Sequence, residues 1–456
     1  MALPRSREAF AALAMAGALL AYSVAPTTLL ALLAAVLFAA VAYRCPRLGL
    51  AAVLATLPTY FQAPDVAGMA FALPEVALVL TTLAVAVRVA VRRDVAPRAT
   101  PLDRWVALLL LAGLLSLLPT EYLKLSLRSL RTLLLEPVLF YYLVAALCPT
   151  QRALRPLAAG FVGAAVAVAV LAIGQVALNA QTVQVEGVRR ALGPFPSPNH
   201  LGLYLGRALP FAVAGALWLP RWRVPFLVAS ALLGLALALT FSVGAWLGAA
   251  ASLLVLAAYA GRRLLAATAI GGAVLAALIL VALVRVGAER VVGQATLGGT
   301  TATSRRLIWT AALAMLRDHP WLGIGLDNFL YRYQLQYMLP EAWAEPNISH
   351  PHNWVLQFWL DLGPVGLVAL LGLLGSFFWL ALPLARATDS CAISPGTAER
   401  CGRSPLLLGA IASMAGWLVH GFVDNSYFLV DQSFLFWWQL AIAVIVARDS
   451  SRASEG

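Results

Sequence analysis

Two histidines, His350 and His352, stand where a long polar stretch of the chain gives way to a strongly apolar one. The chain has only 5 histidines, and packing alone gives little reason to place two of them at this boundary. The imidazole can take or give a proton at ordinary pH, because its unperturbed pKa lies near neutrality. We therefore predict that His352 is a general base. His350 is a candidate for supporting it or binding an acceptor, and a plain loop histidine is an equal reading.

Several arginines could hold an anionic substrate near these histidines. Arg305 and Arg306 stand in the same polar stretch as His352, and Arg190 also lies on the side of the membrane that carries few basic residues. The planar guanidinium group is the side chain best matched to phosphate oxygens. A histidine with several arginines on one face of a membrane therefore predicts chemistry on a phosphate-bearing lipid.

Arg207 is a different kind of candidate, because it lies about two turns into an apolar helix. A charge there is expensive. We expect Arg207 to line an outward-facing cavity, where it would also bind phosphate, or to pair with an acid such as Glu75 or Glu136. The sequence has no Asp-x-Asp on the predicted outer side, so we expect neither a metal nor a cofactor to be needed.

The composition places most of the chain in lipid. Of 456 residues, 62% are hydrophobic and 11% are charged, whereas soluble domains are nearer half apolar and a quarter charged. The net charge of +12 could suggest nucleic acid as a partner. The basic residues, however, stand between apolar runs instead of along one face, which is typical of membrane-topology signals. We predict a membrane protein that does not bind nucleic acid.

The apolar runs predict an all-α, polytopic transmembrane protein, with residues 1–456 forming one domain. Some runs are shorter than the roughly 20 residues of a spanning helix, so we predict 12 to 14 spans. Arg5 and Arg7 precede the first run, which we expect to be a retained helix. The runs are 9–22, 27–43, 47–61, 71–92, 105–118, 126–148, 157–178, 200–219, 225–241, 243–260, 264–285, 353–385, 406–423 and 430–447.

Basic residues fall in alternate loops, which predicts cytoplasmic N- and C-termini. The same alternation places the large polar loop 286–351 outside the cytoplasm. Within it, residues 307–317 have helical apolar spacing, suited to lying against the membrane or to closing a site. We therefore expect this loop to carry short helices. The 4 cysteines fall at cytoplasmic loops without metal-type spacing, so neither disulfides nor metal sites are expected.

One motif carries a family resemblance. His352-Asn353 is followed by nine residues and then by Gly363-Pro364-Val365-Gly366, and this pattern resembles the motif shared by the bacterial O-antigen ligase and O-antigen polymerase superfamily. Similar stretches cover about residues 160–447. They are Gly193-Pro194-Phe195-Pro196-Ser197-Pro198-Asn199, the run from Arg305 through Trp309 to Phe329, and the run from His420 to Asp424.

The resemblance implies a glycosyltransferase of GT-C-like fold in the bacterial cytoplasmic (inner) membrane, with its active site facing the periplasm. The donor would be a glycan on a polyprenyl diphosphate, and the acceptor a hydroxyl of lipid A-core, of another glycan or of another molecule. Transfer would be inverting and metal-independent. His352 would be the base, and Arg305, Arg306, Arg190 and Arg207 would bind the diphosphate.

Other positions have supporting roles in this hypothesis. Asn353 orients the imidazole or caps the helix that follows, and Asn199 opens another helix. Asp361 takes the place of a family glutamate and is expected to pair with an arginine or to form a buried polar contact. Val243 stands where the family usually has an arginine at an outer hairpin tip. Either Arg190 or Arg207 replaces that charge, or the protein uses a somewhat different donor, or it is a weakened enzyme.

The residues leave other functions open. An O-antigen or exopolysaccharide polymerase of the same superfamily would use the same donor as a ligase. A solute transporter would need charges in mid-membrane, such as Arg207, Glu75, His420 and Asp424. A non-catalytic protein of envelope assembly would explain the loss of the arginine at Val243.

Overall fold

The computed structural model describes residues 5–66, 69–92, 98–185, 188–272, 300–343, 346–387 and 403–455. Nearly all regular structure in these ranges is helical, so the all-α prediction is confirmed. Two small antiparallel hairpins are the exceptions: β1 (Asp65–Val66) pairs with β2 (Met69–Ala70), and β3 (Val183–Val185) pairs with β4 (Val188–Arg190). Residues 286–299 of the predicted loop and 273–285 of a predicted span lie outside the described ranges.

The first half of the chain forms eight α-helices, and α6 and α7 are joined without a break by a π-helical turn at Leu130–Leu135. The eight are α1 (Arg5–Ser23), α2 (Thr28–Arg44), α3 (Pro46–Thr56), α4 (Leu73–Arg92), α5 (Asp103–Leu115), α6 (Leu123–Ser129), α7 (Glu136–Leu147) and α8 (Arg155–Ala177).

The second half follows the same plan, with a further helical stretch at 262–272. Its other described helices are α9 (Pro198–Trp218), α10 (Arg223–Ala238), α11 (Val243–Ala260), α12 (Thr300–Asp318), α13 (Phe329–Arg332), α14 (Trp354–Ala387), α15 (Pro405–Gly421) and α16 (Val430–Glu455).

Within the described residues, 8 helices are long and apolar enough to cross a membrane, and the helices Glu8–Ser23, Thr28–Arg44 and Pro405–Gly421 are apolar but shorter. The predicted number of 12 to 14 spans therefore stays a prediction. The predicted span at 47–61 differs from the structure. There α3 has 11 residues and passes into a 3-10 helix at Leu57–Gln62, because Pro58 interrupts the α-helical hydrogen bonds.

α16 lies at the centre of the molecule. In its most apolar stretch of membrane-spanning length, 94% of the residues are buried inside the protein. Its aromatic side chains, including Trp437 and Trp438, are fully enclosed. The aromatic residues of this last helix therefore form a helix-packing surface. By contrast, α1, α2 and α10 expose many leucines and valines on their outer faces, as lipid-facing helices do.

The segment before α14 forms a small core of its own. The buried face of α12, with Ile308 and Met315, packs against Phe329, Tyr333 and Leu360. The predicted helical stretch 307–317 falls inside α12. Of its two suggested roles, lying on the membrane or closing a site, the packing against α14 favours the second.

α14 is broken at Gly363, where φ is 67° and ψ is −178°. A Cβ atom there would lie 2.5 Å from the carbonyl oxygen of Trp321, and one at Gly323 would meet the carbonyl oxygen of Leu360. The Ile324 amide donates a hydrogen bond of 2.7 Å to the same Leu360 oxygen. Gly363 thus permits a close backbone contact between α14 and the turn at 320–325, which contains Gly323 and Gly325.

We expect Gly363→Ala to destabilise the protein by about 1–3 kcal/mol from its backbone conformation, with a further cost from the contact with Trp321. Gly375→Ala is the matched control in the same helix, because a Cβ there meets nothing within 4 Å. Thermal unfolding in detergent would measure both. Equal melting temperatures for the two variants would contradict this account of the break.

Candidate active site

His352 lies just before α14 in a backbone conformation that is rare for a residue with a side chain, with φ at 51°. Asn353 fixes the start of the helix, since its Oδ1 accepts hydrogen bonds from the amides of Val355 (2.9 Å) and Leu356 (3.1 Å). Of the two roles considered for Asn353, it caps the helix. Strained backbone at a polar cleft is typical of functional sites.

The carboxylate of Asp424 lies at the centre of three histidines. His352 Nδ1 is 2.9 Å from its Oδ1, His350 Nε2 is 3.7 Å from the same oxygen, and His420 Nε2 is 3.8 Å from Oδ2. His420 ends α15 and Asp424 follows in the turn to α16, so the meeting of this turn with the start of α14 builds the group. Asp424 was not predicted as the partner of His352. The run from His420 to Asp424 was recognised only as part of the resemblance.

The electrostatics of the group define which nitrogen carries the proton. Burial alone would raise the pKa of Asp424, but its polar contacts with His350, His352 and His420 hold that pKa well below its usual value. Burial, together with the neighbouring His352, lowers the pKa of His350 although Asp424 opposes this. At neutral pH Asp424 is therefore ionised and His350 neutral. A carboxylate can only accept, so His352 Nδ1 donates to it. In the neutral form of this imidazole, Nε2 is then the nitrogen with the lone pair.

α12 brings Arg305 to the same place. Arg305 is half-buried, and burial lowers its pKa while the charge of Asp424 opposes this shift. Arg306 points to the exposed side of α12. The indole Nε1 of Trp309 donates a hydrogen bond of 2.9 Å to the carbonyl oxygen of Pro351, so α12 also holds the turn that carries His352.

Arg190, the last residue of β4, lies against the tip of the hairpin formed by α10 and α11. Its Nε donates to the carbonyl oxygen of Thr240 at 2.7 Å, and one Nη donates to Asn199 Oδ1 at 2.9 Å. Gly244, at the start of α11, approaches His420 so closely that a Cβ would lie 2.7 Å from its ring. The hairpin tip with Val243 therefore lies against the histidine group, and Arg190 supplies a guanidinium there although Val243 does not.

Asn199 opens α9 next to His200, whose Nε2 lies 2.7 Å from Asp431 Oδ1. The Ser197 side chain caps this helix by accepting a hydrogen bond from the His200 amide. His200 also interacts electrostatically with His350, so the Arg190–Asn199 pair lies near the histidine group.

Arg207 is not part of this face. It is buried inside the helix bundle, where it donates to Gln439 Oε1 at 3.1 Å and to the Gln432 carbonyl at 3.4 Å and lies over the Trp417 ring. Together with His420 it lines a small cavity between α9, α11 and α15; the expected opening of such a cavity to the outer face stays a prediction. The Gln439 amide is held in turn by Ser413.

The alternative pairing of Arg207 with Glu75 or Glu136 is wrong. Both acids bind Arg131 instead, at 2.9 Å and 2.6 Å. The π-helical turn at Leu130–Leu135 explains this pairing, because a spacing of five residues brings Arg131 and Glu136 to one side of such a turn.

Asp361 lies one α14 turn beyond Gln357, which is its hydrogen-bond partner. Asp361 is buried. Of the two expectations for it, a pair with an arginine or a buried polar contact, the buried polar contact is the one observed. The carboxylate of Asp327, in the preceding loop, interacts electrostatically with Asp361. Asp361 therefore belongs to the junction between that loop and α14, behind the histidine group.

Residues 228–371 match the model of a family described as O-antigen ligase. The matched segment includes Val243, Arg305 and His352, whereas Arg190 and Asp424 lie outside it. No curated protein matches the chain. The match agrees with the resemblance seen in the sequence: over residues 228–371, which include the motif from His352 to Gly366, the chain is similar to the O-antigen ligase family.

Proposed function

We propose that this protein is a ligase-type glycosyltransferase, which moves a glycan from a polyprenyl diphosphate to an acceptor hydroxyl at the outer face of the bacterial cytoplasmic membrane. The observation that carries the proposal is the pair formed by His352 and the ionised Asp424, with Nδ1 and Oδ1 2.9 Å apart. A carboxylate that holds one imidazole nitrogen leaves the other ready to accept a proton.

The chemistry follows from this pair. The acceptor hydroxyl gives its proton to His352 Nε2 while its oxygen bonds to the anomeric carbon of the donor sugar. The bond from that carbon to the diphosphate oxygen breaks on the opposite face, and the diphosphate leaves with the bonding electrons. The configuration at the carbon is therefore inverted. Asp424 stabilises the imidazolium that forms, since the two groups become an ion pair in a partly buried site.

The leaving diphosphate needs positive charge nearby. Arg305 supports this role best, because it is half-buried and acts electrostatically on Asp424. Arg306 stands on the exposed side of the same helix, and Arg190 lies at the hairpin tip beside the histidine group. We leave Arg207 out of this set, because its guanidinium is enclosed among Gln432, Gln439 and Trp417.

We expect His352→Ala to lower the transfer rate by about 100- to 10,000-fold, as the loss of a general base does. Asp424→Asn should lower it by on the order of 100-fold or more, because the amide no longer fixes the tautomer with a free Nε2 lone pair. The measurement is glycan transfer from a polyprenyl diphosphate by purified protein, with donor binding and melting temperature checked for each variant.

His319→Ala is the matched control, since this histidine belongs to the turn after α12 and not to the group around Asp424. Undiminished transfer by a folded His352→Ala protein would remove the proposed base. The mass of the product would distinguish a ligase from a polymerase. Solute flux in liposomes, with no transfer by the wild type, would replace the proposal with a transporter.

We expect Trp309→Phe to lower kcat by about 5- to 10-fold, with the KM for the donor unchanged. The variant loses one hydrogen bond to Pro351, worth about 1 kcal/mol, and with it the position of His352. Trp359→Phe is the matched control, because Trp359 makes the same kind of bond, 2.9 Å long, to Pro320. Equal kinetic effects of the two variants would contradict a positioning role for Trp309.

We expect Arg190→Ala to raise the KM for the donor, because it removes the guanidinium at the hairpin tip. Adding Val243→Arg to this variant should restore part of the loss, since the start of α11 lies against His420. Val243→Gln, of similar size but uncharged, should restore nothing. A rescue of equal size by both substitutions would show that charge at this tip is not what the donor needs.

A further inference from the structure

The histidine group also has the composition of a transition-metal site. We propose that His350, His352 and Asp424 bind a divalent transition-metal ion of the Zn²⁺ type, and that the bound ion inhibits the protein by occupying the base. This inference goes beyond the proposed function, in which no metal takes part. It concerns a competing use of the same side chains.

The geometry supports three ligands from three residues. One imidazole nitrogen from each histidine and one carboxylate oxygen of Asp424 all lie within 4.8 Å of one another. On a tetrahedral zinc ion, with bonds of about 2.0–2.2 Å, two ligand atoms are separated by roughly 3.3–3.6 Å. The distances from Asp424 Oδ1 to His352 Nδ1 and His350 Nε2, 2.9 Å and 3.7 Å, lie on either side of that value.

The ligand types favour one class of ion. Two imidazoles and one carboxylate match the three protein ligands of open zinc sites, in which the fourth position holds water or a substrate. Mg²⁺ and Ca²⁺ prefer sets made of oxygen ligands. Among divalent ions, Zn²⁺ and its neighbours in the transition series bind imidazole most tightly.

Unsatisfied polar atoms give independent support. Within the described part of the chain, His350 Nε2 and His420 Nε2 are buried and have no hydrogen-bond partner. Buried nitrogen atoms are normally bonded, so each such atom calls for an ion or a water molecule. His420 lies against the second oxygen of Asp424, at 3.8 Å. It can therefore hold the carboxylate in place, or approach the ion as a further ligand.

Charge sets a limit on the affinity. Asp424 is the anionic ligand, and Arg305 faces it with a positive charge that opposes a second cation. His200, which acts on His350 from α9, is bound to Asp431. We therefore expect a site that fills when metal is added and that a chelator empties.

The bound ion would remove the base by simple competition. If it binds His352 Nε2, it takes the lone pair that accepts the hydroxyl proton. If it binds Nδ1, it displaces the proton shared with Asp424 into solvent and breaks the pair. In both cases the acceptor hydroxyl loses its proton acceptor, so transfer stops until the ion leaves.

The first test needs no glycan donor. Full-length protein without a histidine tag, treated with a chelator, is titrated with Co²⁺, and the visible absorption of tetrahedral Co²⁺ is recorded before displacement by Zn²⁺. We expect one ion per chain, an affinity at least 10-fold lower for His350→Ala, and no change for His319→Ala. The absence of a tetrahedral spectrum, or equal affinities for wild type and His350→Ala, would overturn the site.

A second variant keeps the metal-binding test decisive if the first variant does not fold. If His350→Ala does not fold, His352→Asn replaces it, because asparagine tolerates the positive φ of this position better than most residues. Its affinity for Co²⁺ should also fall at least 10-fold relative to wild type. An unchanged affinity in this folded variant would likewise overturn the site.

The second test concerns inhibition. Zn²⁺ at saturating concentration should stop glycan transfer by the wild type, and a chelator should restore it. Full transfer by the zinc-bound protein would overturn the inhibitory role. Because metal binding is read without a donor, absence of transfer from metal-free protein would contradict the proposed function and leave the metal site established by its spectrum.

Discussion

The buried charge of Asp424 is the constraint on which the site depends. A carboxylate removed from water is costly unless it is paired or hydrogen-bonded, and here three imidazoles surround it. They come from the last turn of α15 and from the segment before α14. Satisfying one charge therefore fixes the relative positions of two helix ends and of the turn between α15 and α16, and it gives His352 its tautomer.

The second constraint is the close backbone contact between α14 and the turn at 320–325. The break at Gly363 leaves the Leu360 carbonyl oxygen free to accept a hydrogen bond from the Ile324 amide. The turn at 320–325 is therefore hydrogen-bonded to α14 at the point where the helix is broken. α12 packs on this junction and reaches back to Pro351 through Trp309. His352 is thus held by its own contact with Asp424 and, through the neighbouring Pro351, by α12.

The helices and the central histidine could be predicted from the sequence, because both are local patterns. Apolar runs identify the helices directly, and the spacing from His352 to Gly363 identifies the motif. The partners could not be predicted. His352 and Asp424 are 72 residues apart, and Arg131 and Glu75 are 56 apart. A sequence shows that a buried charge needs a partner, but only packing selects which polar side chain provides it.

Arg207 shows the limit of that reasoning most clearly. The high cost of a charge inside an apolar helix favours an acid or an open cavity beside it. The structure offers the Gln439 side chain, the Gln432 backbone carbonyl and the face of Trp417 as direct partners, while the carboxylate of Asp431 acts on the guanidinium electrostatically. All of these partners except Trp417 belong to α16, which can carry polar residues because it is enclosed by protein. Gln432 and Gln439 are two turns apart on α16, and Arg207 spans that distance by bonding to the backbone of the first and to the side chain of the second. A contact with a backbone carbonyl leaves no trace in the residue type, so no sequence pattern could have indicated it.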